Sequence, residues 1–230
     1  MKARKIQAIT FDAGGTLLYP YPAVGAIYAE VMSQHGLILD PDRLEAGFRR
    51  AWKNAHQIPR VSVSETTEKE WWRRVVRETL NGLGEPSDFE ALFCDLWSAF
   101  AEPRRWRLHD EAEETLRVLR KRSYRLLILS NWDSRLRLLL VGLGIASLFD
   151  DLIISSEVGF EKPDRRIFQV AENRLALPAD RFLHVGDSDY HDAEGARGAG
   201  WQWVLVTNQP VSGESTNRIQ TLSELLDRLP

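Results

Sequence analysis

The sequence predicts an α/β protein whose parallel sheet is interrupted, after its first strand, by a bundle of helices. Three observations carry this. Residues 6–11 form an apolar run that ends in Asp12 and the glycine pair Gly14 and Gly15, as expected of a parallel strand covered on both faces. From about residue 19 to residue 101 the apolar spacing is helical only. From residue 107 onward helical stretches alternate with short apolar runs, an order that gives right-handed crossovers and a parallel sheet.

After the first strand, four helices are expected over residues 23–35, 41–57, 68–83 and 88–100. The second has Asp40 as a cap and Pro41 near its start. The aromatic residues of the third and fourth, Trp71, Trp72, Phe89, Phe93 and Trp97, read as core. A charged amphipathic helix over 110–121 precedes a strand over 125–129, and Ser130 and Asn131 follow it. A leucine-rich helix over 134–143 leads to a strand over 151–154, a loop over 155–162 and a helix over 163–176 that starts at Pro163. A strand over 182–185 closes on Gly186, Asp187 and Ser188. A short helix over 193–199, a strand over 203–206 and a terminal helix over 222–229 complete the chain.

Its 230 residues suffice for one large domain or a core with an insert. A net charge of -3, with scattered Lys and Arg, predicts neither a nucleic-acid nor a membrane partner. No apolar run is long enough for a membrane span, and residues 1–5 lead into a strand rather than a signal peptide. The single cysteine, Cys94, suits a reducing cytosol and is expected to be a buried structural thiol.

The strand ends carry related chemistry. Asp12 follows the first, Ser130 the second, and Asp187 with Asp192 the fourth, while Lys162 comes after the third. In a doubly wound sheet these ends meet in one crevice. A carboxylate pair can hold Mg²⁺, and a lysine and a hydroxyl can hold phosphate oxygens. A carboxylate beside such a metal can attack phosphorus. Each residue alone also has a plainer role: Ser130 or Asp192 as a helix cap, Lys162 as a solvated lysine.

Four segments resemble the four motifs of the haloacid dehalogenase (HAD) superfamily. They are Phe11-Asp12-Ala13-Gly14-Gly15-Thr16-Leu17, Leu129-Ser130-Asn131, Gly159-Phe160-Glu161-Lys162-Pro163-Asp164, and Gly186-Asp187-Ser188 with Asp192. The resemblance spans essentially the whole chain and is to subfamily IA. Ser130-Asn131-Trp132-Asp133-Ser134-Arg135-Leu136 is closest to its rhythmically-expressed-gene-like and HAD-like hydrolase domain-containing branch. It implies a Rossmann-like core at 1–18 and 104–230 and a helical cap at 19–103. It implies a cytoplasmic, Mg²⁺-dependent phosphatase acting on a small phosphorylated metabolite. Asp12 matches the nucleophile. Asp12, Asp187 and the Gly14 carbonyl match the Mg²⁺ ligands, with Asp192 as the supporting acid. Ser130, Asn131 and Lys162 match the phosphate-binding groups.

One position departs from the family pattern. Phosphatases of this family usually carry a second aspartate two residues after the nucleophile, as general acid and base, and Gly14 stands there. General acid–base help is worth roughly 10²–10⁴-fold. The departure leaves several readings open. One is a phosphatase that is weak, or has a good leaving group, or takes its proton from His191, Tyr19, Tyr21 or His56. Another is a 2-haloacid dehalogenase, although such enzymes lack the Gly186-Asp187 pair. A third is a phosphonoacetaldehyde hydrolase that uses Lys53, and a fourth is a non-catalytic phosphate-binding protein.

Overall fold

The structure, a computed structural model, describes residues 6–55, 62–84, 86–208 and 217–229. The chain divides into two compact units, Met1–Tyr19 with Leu108–Pro230, and Pro20–Arg107.

The larger unit is built on β1 (Ala8–Phe11), whose four residues are all buried. The chain leaves and re-enters this unit through a two-stranded ribbon of β2 (Leu18–Pro20) and β3 (Trp106–Leu108). Strands of three residues are too short to show a period, so the sequence pattern does not reveal them. α5 (Ala112–Lys121), β4 (Arg125–Ser130), α6 (Arg135–Gly142) and β5 (Asp151–Ile154) follow. One helical turn, α7 (Ser155–Val158), occupies part of the stretch expected to be loop and ends at the left-handed Gly159. α8 (Arg165–Leu175) begins two residues later than Pro163 suggests, because the Asp164 side chain accepts the Arg166 N–H and caps it. β6 (Phe182–Gly186), a π-helical turn over Asp189–Glu194, α9 (Gly195–Ala199), β7 (Gln202–Val206), β8 (Arg218–Ile219) and α10 (Leu225–Arg228) complete it.

The sheet order is β5-β4-β1-β6-β7-β8, and every neighbouring pair is parallel. From β1 the chain winds outward through β4 to β5, then crosses to β6 on the other side. The reversal falls at β1 and β6, and such a point opens a crevice at the carboxyl ends of the strands. The register sets Phe11 beside Ile128 on one side and Val185 on the other, so Asp12, Ser130 and Asp187 emerge at similar heights. One face of the sheet is sealed by Ile167, Phe168 and Ala171 of α8 with Leu127, Leu129, Phe182 and Trp201. Each large apolar side chain buried there contributes about 1.5–3 kcal/mol.

The smaller unit contains α1 (Val24–Gln34), α2 (Pro41–Ala55), α3 (Glu65–Leu80) and α4 (Phe89–Ala99). The last two residues of the helix expected over 41–57 lie outside the described residues. Its core joins Ile27, Tyr28, Met32, Leu44, Leu92, Phe93 and Leu96. Trp71 meets Trp52 and Trp72 edge-on at 5.4 and 5.1 Å, so Trp71 is core. Ser64 and Asp88 cap α3 and α4 by accepting the N–H groups of Thr67 and Ala91. Cys94 corrects the sequence reading, because it is exposed. On α4 the buried positions are Leu92, Phe93, Leu96 and Ala99, and residue 94 projects from the opposite face. Among the described residues, no helix is long and apolar enough to cross a membrane.

Candidate active site

The loop after β1 is held at both ends. The Asp12 N–H donates to the Val185 carbonyl at 2.8 Å, which keeps Asp12 pinned to β6. The N–H groups of Leu17 and Leu18 then both donate to the Ala13 carbonyl, at 2.9 and 3.0 Å. The two glycines between them differ. Gly15 has φ +82°, the left-handed region, and a Cβ there would strike the Asp187 carboxylate. Gly14 lies outside that region, and its carbonyl accepts no hydrogen bond among the described residues. A Cβ on Gly14 would instead meet Trp132, with Cζ3 at 3.0 Å.

Asp12, Ser130, Lys162, Asp187 and Asp192 converge. Asp12 Oδ1 accepts Ser130 Oγ at 2.9 Å and Lys162 Nζ at 2.6 Å. Lys162 Nζ also donates to Asp192 Oδ1 at 2.6 Å. Asp192 Oδ2 accepts the N–H groups of Asp187 and Ser188 at 3.1 and 2.9 Å. His184 Nε2 lies 2.9 Å from Asp192 Oδ1, and its Nδ1 lies 2.7 Å from Thr10 Oγ1. A carboxylate only accepts, so Nε2 must carry the proton and Nδ1 accepts the Thr10 hydroxyl. Asp192 thus receives four donors. It acts as the scaffold for Lys162 and the Asp187 turn, with its lone pairs already engaged.

Asn131, expected among the phosphate-binding groups, uses its side-chain amide elsewhere. Its Oδ1 accepts the Lys162 N–H at 2.7 Å, and its Nδ2 donates to the Lys162 carbonyl at 2.9 Å. That clamp positions the lysine. Thr10 and His184 are functional candidates that the sequence reading missed, since both sit within apolar runs that read as core. The available signal was a histidine inside a continuous apolar strand, which when buried requires partners.

The electrostatics follow from burial around one cation. Burial alone would depress the Lys162 ammonium, but the charges of Asp12 and Asp192 overrule it and raise it. Burial pushes the Asp12 carboxyl up, opposed chiefly by Lys162. Burial also opposes ionisation of Asp192, yet Lys162 and His184 hold it well below the usual carboxylate range. His184, fully buried, is pushed down and stays neutral. Asp187 is pushed up to about 7 by desolvation and by the charges of Asp12 and Asp192.

These residues fit a hard divalent cation. Asp12, Asp187 and Asp192 bring carboxylate oxygens within 4.8 Å of one another, and of these Asp192 is already saturated. Asp12 Oδ2 has no hydrogen bond among the described residues, and Asp187 Oδ1 accepts Thr16 Oγ1 at only 3.5 Å. Asp12, Asp187 and the free Gly14 carbonyl would hold Mg²⁺ through oxygen.

A pH-dependent stability follows. Without metal, the folded state keeps the Asp187 proton up to about pH 7, whereas the unfolded chain releases it at the ordinary value of 3.8. The folded state binds more protons across this interval, so its stability falls as pH rises through it. Asp187 is exposed, so solvent screening reduces the size of the effect and leaves its sign unchanged. A Mg²⁺ ion held there would compete with that proton. In thermal melts, the gain in Tm on adding Mg²⁺ should therefore be small at low pH and grow as pH rises past about 7. A gain that is absent, or equal at both ends, contradicts the cation assignment.

The other candidate proton donors are placed as follows. His191 lies on the π-helical turn, with its N–H donated to Ser188 Oγ at 3.1 Å and its ring 5.1 Å from Tyr190. The Tyr19 ring stands 4.9 Å from His109. Tyr21 lies in the smaller unit under the Arg107 guanidinium at 4.5 Å. Lys53 is exposed on α2. His56 lies outside the described residues.

Known proteins resemble this arrangement. A profile of the haloacid dehalogenase-like hydrolases matches residues 6–200. The human haloacid dehalogenase-like hydrolase domain-containing protein 3 is 35% identical over 98% of this chain and 93% of its own length. A phosphoserine phosphatase of Thermus thermophilus is 37% identical over 58% of this chain and 53% of its own. The HAD-hydrolase YfnB of Bacillus subtilis, solved bound to magnesium, superposes with a TM-score of 0.82 at 21% identity, covering 97% of this chain and 98% of that one.

Proposed function

The chain belongs to the haloacid dehalogenase-like hydrolase family, and from that premise we propose that it is a Mg²⁺-dependent phosphatase acting on a small phosphorylated metabolite through Asp12. The observation that carries this reading is the pairing of Asp12 with Lys162 at 2.6 Å and Ser130 at 2.9 Å, with the Asp187 carboxylate within 4.8 Å. Bound Mg²⁺ would neutralise phosphoryl charge and draw electron density from phosphorus.

The protein groups divide the remaining work. Ser130 and Lys162 orient the Asp12 carboxylate through Oδ1, so that one of its oxygens can face the cation and the other phosphorus. Lys162, with one of its three N–H groups uncommitted, can donate to a phosphoryl oxygen, and Ser130 can do so by turning its hydroxyl away from Asp12. A carboxylate oxygen of Asp12 forms a bond to phosphorus as the bond to the leaving oxygen breaks, and that oxygen takes the electron pair. Water then attacks phosphorus as the bond from phosphorus to the Asp12 oxygen breaks; the carboxylate recovers its electron pair, one water proton stays on the inorganic phosphate, and the other passes through solvent to the departed oxygen. The intermediate is a mixed anhydride, and its own reactivity supports this second step.

A 2-haloacid dehalogenase needs no metal and would have no use for the Asp187 carboxylate within 4.8 Å of Asp12, which disfavours that reading. The test is a side-by-side assay of phosphate esters and 2-haloacids with and without Mg²⁺. Phosphate release that requires Mg²⁺ supports the proposal. Halide release, or phosphate binding without turnover, contradicts it.

Gly14 predicts the leaving-group dependence. With no acid two residues after Asp12, the leaving oxygen departs with its full charge, so aryl and acyl phosphates should turn over much faster than alkyl phosphates. Gly14→Asp should raise alkyl phosphate turnover by up to about 10²-fold and activated substrates less. The backbone permits a side chain there, but Trp132 Cζ3 at 3.0 Å must move a few tenths of an ångström. Equal rates for both substrate classes in the parent protein would place an acid elsewhere.

A further inference from the structure

The three atoms nearest a Cβ built on Gly14 all belong to Trp132: Cζ3 at 3.0 Å, Cη2 at 3.7 Å and Cε3 at 3.9 Å. The edge of the six-membered ring therefore fills the space into which a side chain at position 14 would point. Backbone geometry does not demand glycine here, as it does at Gly15 with φ +82°. What a side chain here would meet is the indole, which would have to give by a few tenths of an ångström.

Trp132 is also held in place. Its N–H donates to Ser155 Oγ at 3.0 Å, and its carbonyl accepts Ser155 Oγ at 3.0 Å and the Ser156 N–H at 3.2 Å. The residue before it clamps the Lys162 main chain. The residue after it, Asp133, is buried and binds Arg135 at 2.7 and 2.8 Å. The side chain is half-buried. A partly exposed aromatic ring on an anchored main chain thus stands beside the loop that carries Asp12.

We infer that Trp132 is a specificity-determining residue, and that it selects phosphoryl compounds whose leaving group is flat and unsaturated, such as aryl or enol phosphates. This rests on the phosphatase reading and deepens it. Two independent features point to one substrate class. A leaving group that departs without an acid must have a low pKa, and phenols and enols do. A flat π-system stacks on an indole, whereas a saturated ring or chain gains only contact area. The residue that crowds position 14 is the one that would recognise a group able to leave without an acid there.

The test is calorimetric titration of the Mg²⁺-loaded protein with three inert ligands: inorganic phosphate, phenylphosphonate and cyclohexylphosphonate. Phenylphosphonate should bind roughly 3–10-fold tighter than its saturated counterpart of similar size. Trp132→Ala should bring that ratio close to one while leaving phosphate affinity within about twofold. Trp132→Phe, which keeps a ring, should retain most of the preference and guards against a folding defect in the alanine variant. A ratio unchanged by Trp132→Ala, or no phenyl preference in the parent, overturns the inference and leaves the phosphatase reading standing. Failure of inorganic phosphate to bind overturns that reading, and the inference with it.

Discussion

Asp12→Asn is expected to lower phosphatase turnover by at least about 10³-fold while leaving the melting temperature close to that of the parent. Removing a nucleophile from a covalent mechanism has effects of roughly 10³–10⁶-fold in other hydrolases. Asparagine is nearly isosteric and can still accept from Ser130 Oγ and Lys162 Nζ through its carbonyl oxygen. The loop is anchored by main-chain bonds that the substitution does not touch, notably from the Asp12 N–H to the Val185 carbonyl. Steady-state rates together with thermal melts check both halves. Retained turnover with an intact fold removes Asp12 as the nucleophile.

The second large effect concerns Lys162. Its ammonium is buried between Asp12 and Asp192 at 2.6 Å from each. Lys162→Met keeps the length of the side chain and leaves two carboxylates buried without their shared cation. Breaking such a pair from one side costs about 3–5 kcal/mol, a fall in Tm of roughly 6–20 °C for a chain of this size. The deficit should shrink as pH falls. Without the lysine, nothing opposes the rise that burial imposes on the Asp12 carboxyl, which relieves the repulsion by taking a proton in the folded state. A Tm within about 2 °C of the parent at neutral pH would contradict the network.

The parts of this site that could be read in the sequence lie at strand ends. Asp12, Ser130 and Asp187 each terminate an apolar run, and parallel pairing of such runs places their ends together. What could not be read depends on register and on side chains inside the strands. Thr10 and His184 look like core positions until Thr10 is set directly beside His184 across β1 and β6. Trp132 follows Ser130 by two residues, and its contact with position 14 needs the alignment of β1 against β4. The ribbon strands β2 and β3, of three residues each, carry no readable period. Cys94 was legible, since it falls midway between Leu92 and Leu96 on a helix, and an apolar neighbourhood in sequence was mistaken for a buried face.

The central claim is that Asp12 carries the phosphoryl group. Its most direct test is acid quenching of the Mg²⁺-loaded protein during turnover of an aryl or acyl phosphate, followed by mass spectrometry of the peptide containing Asp12. The account predicts one added phosphoryl group on that peptide, lost on treatment with hydroxylamine and absent from Asp12→Asn. Phosphate release with no modified Asp12 under conditions of steady turnover would contradict it.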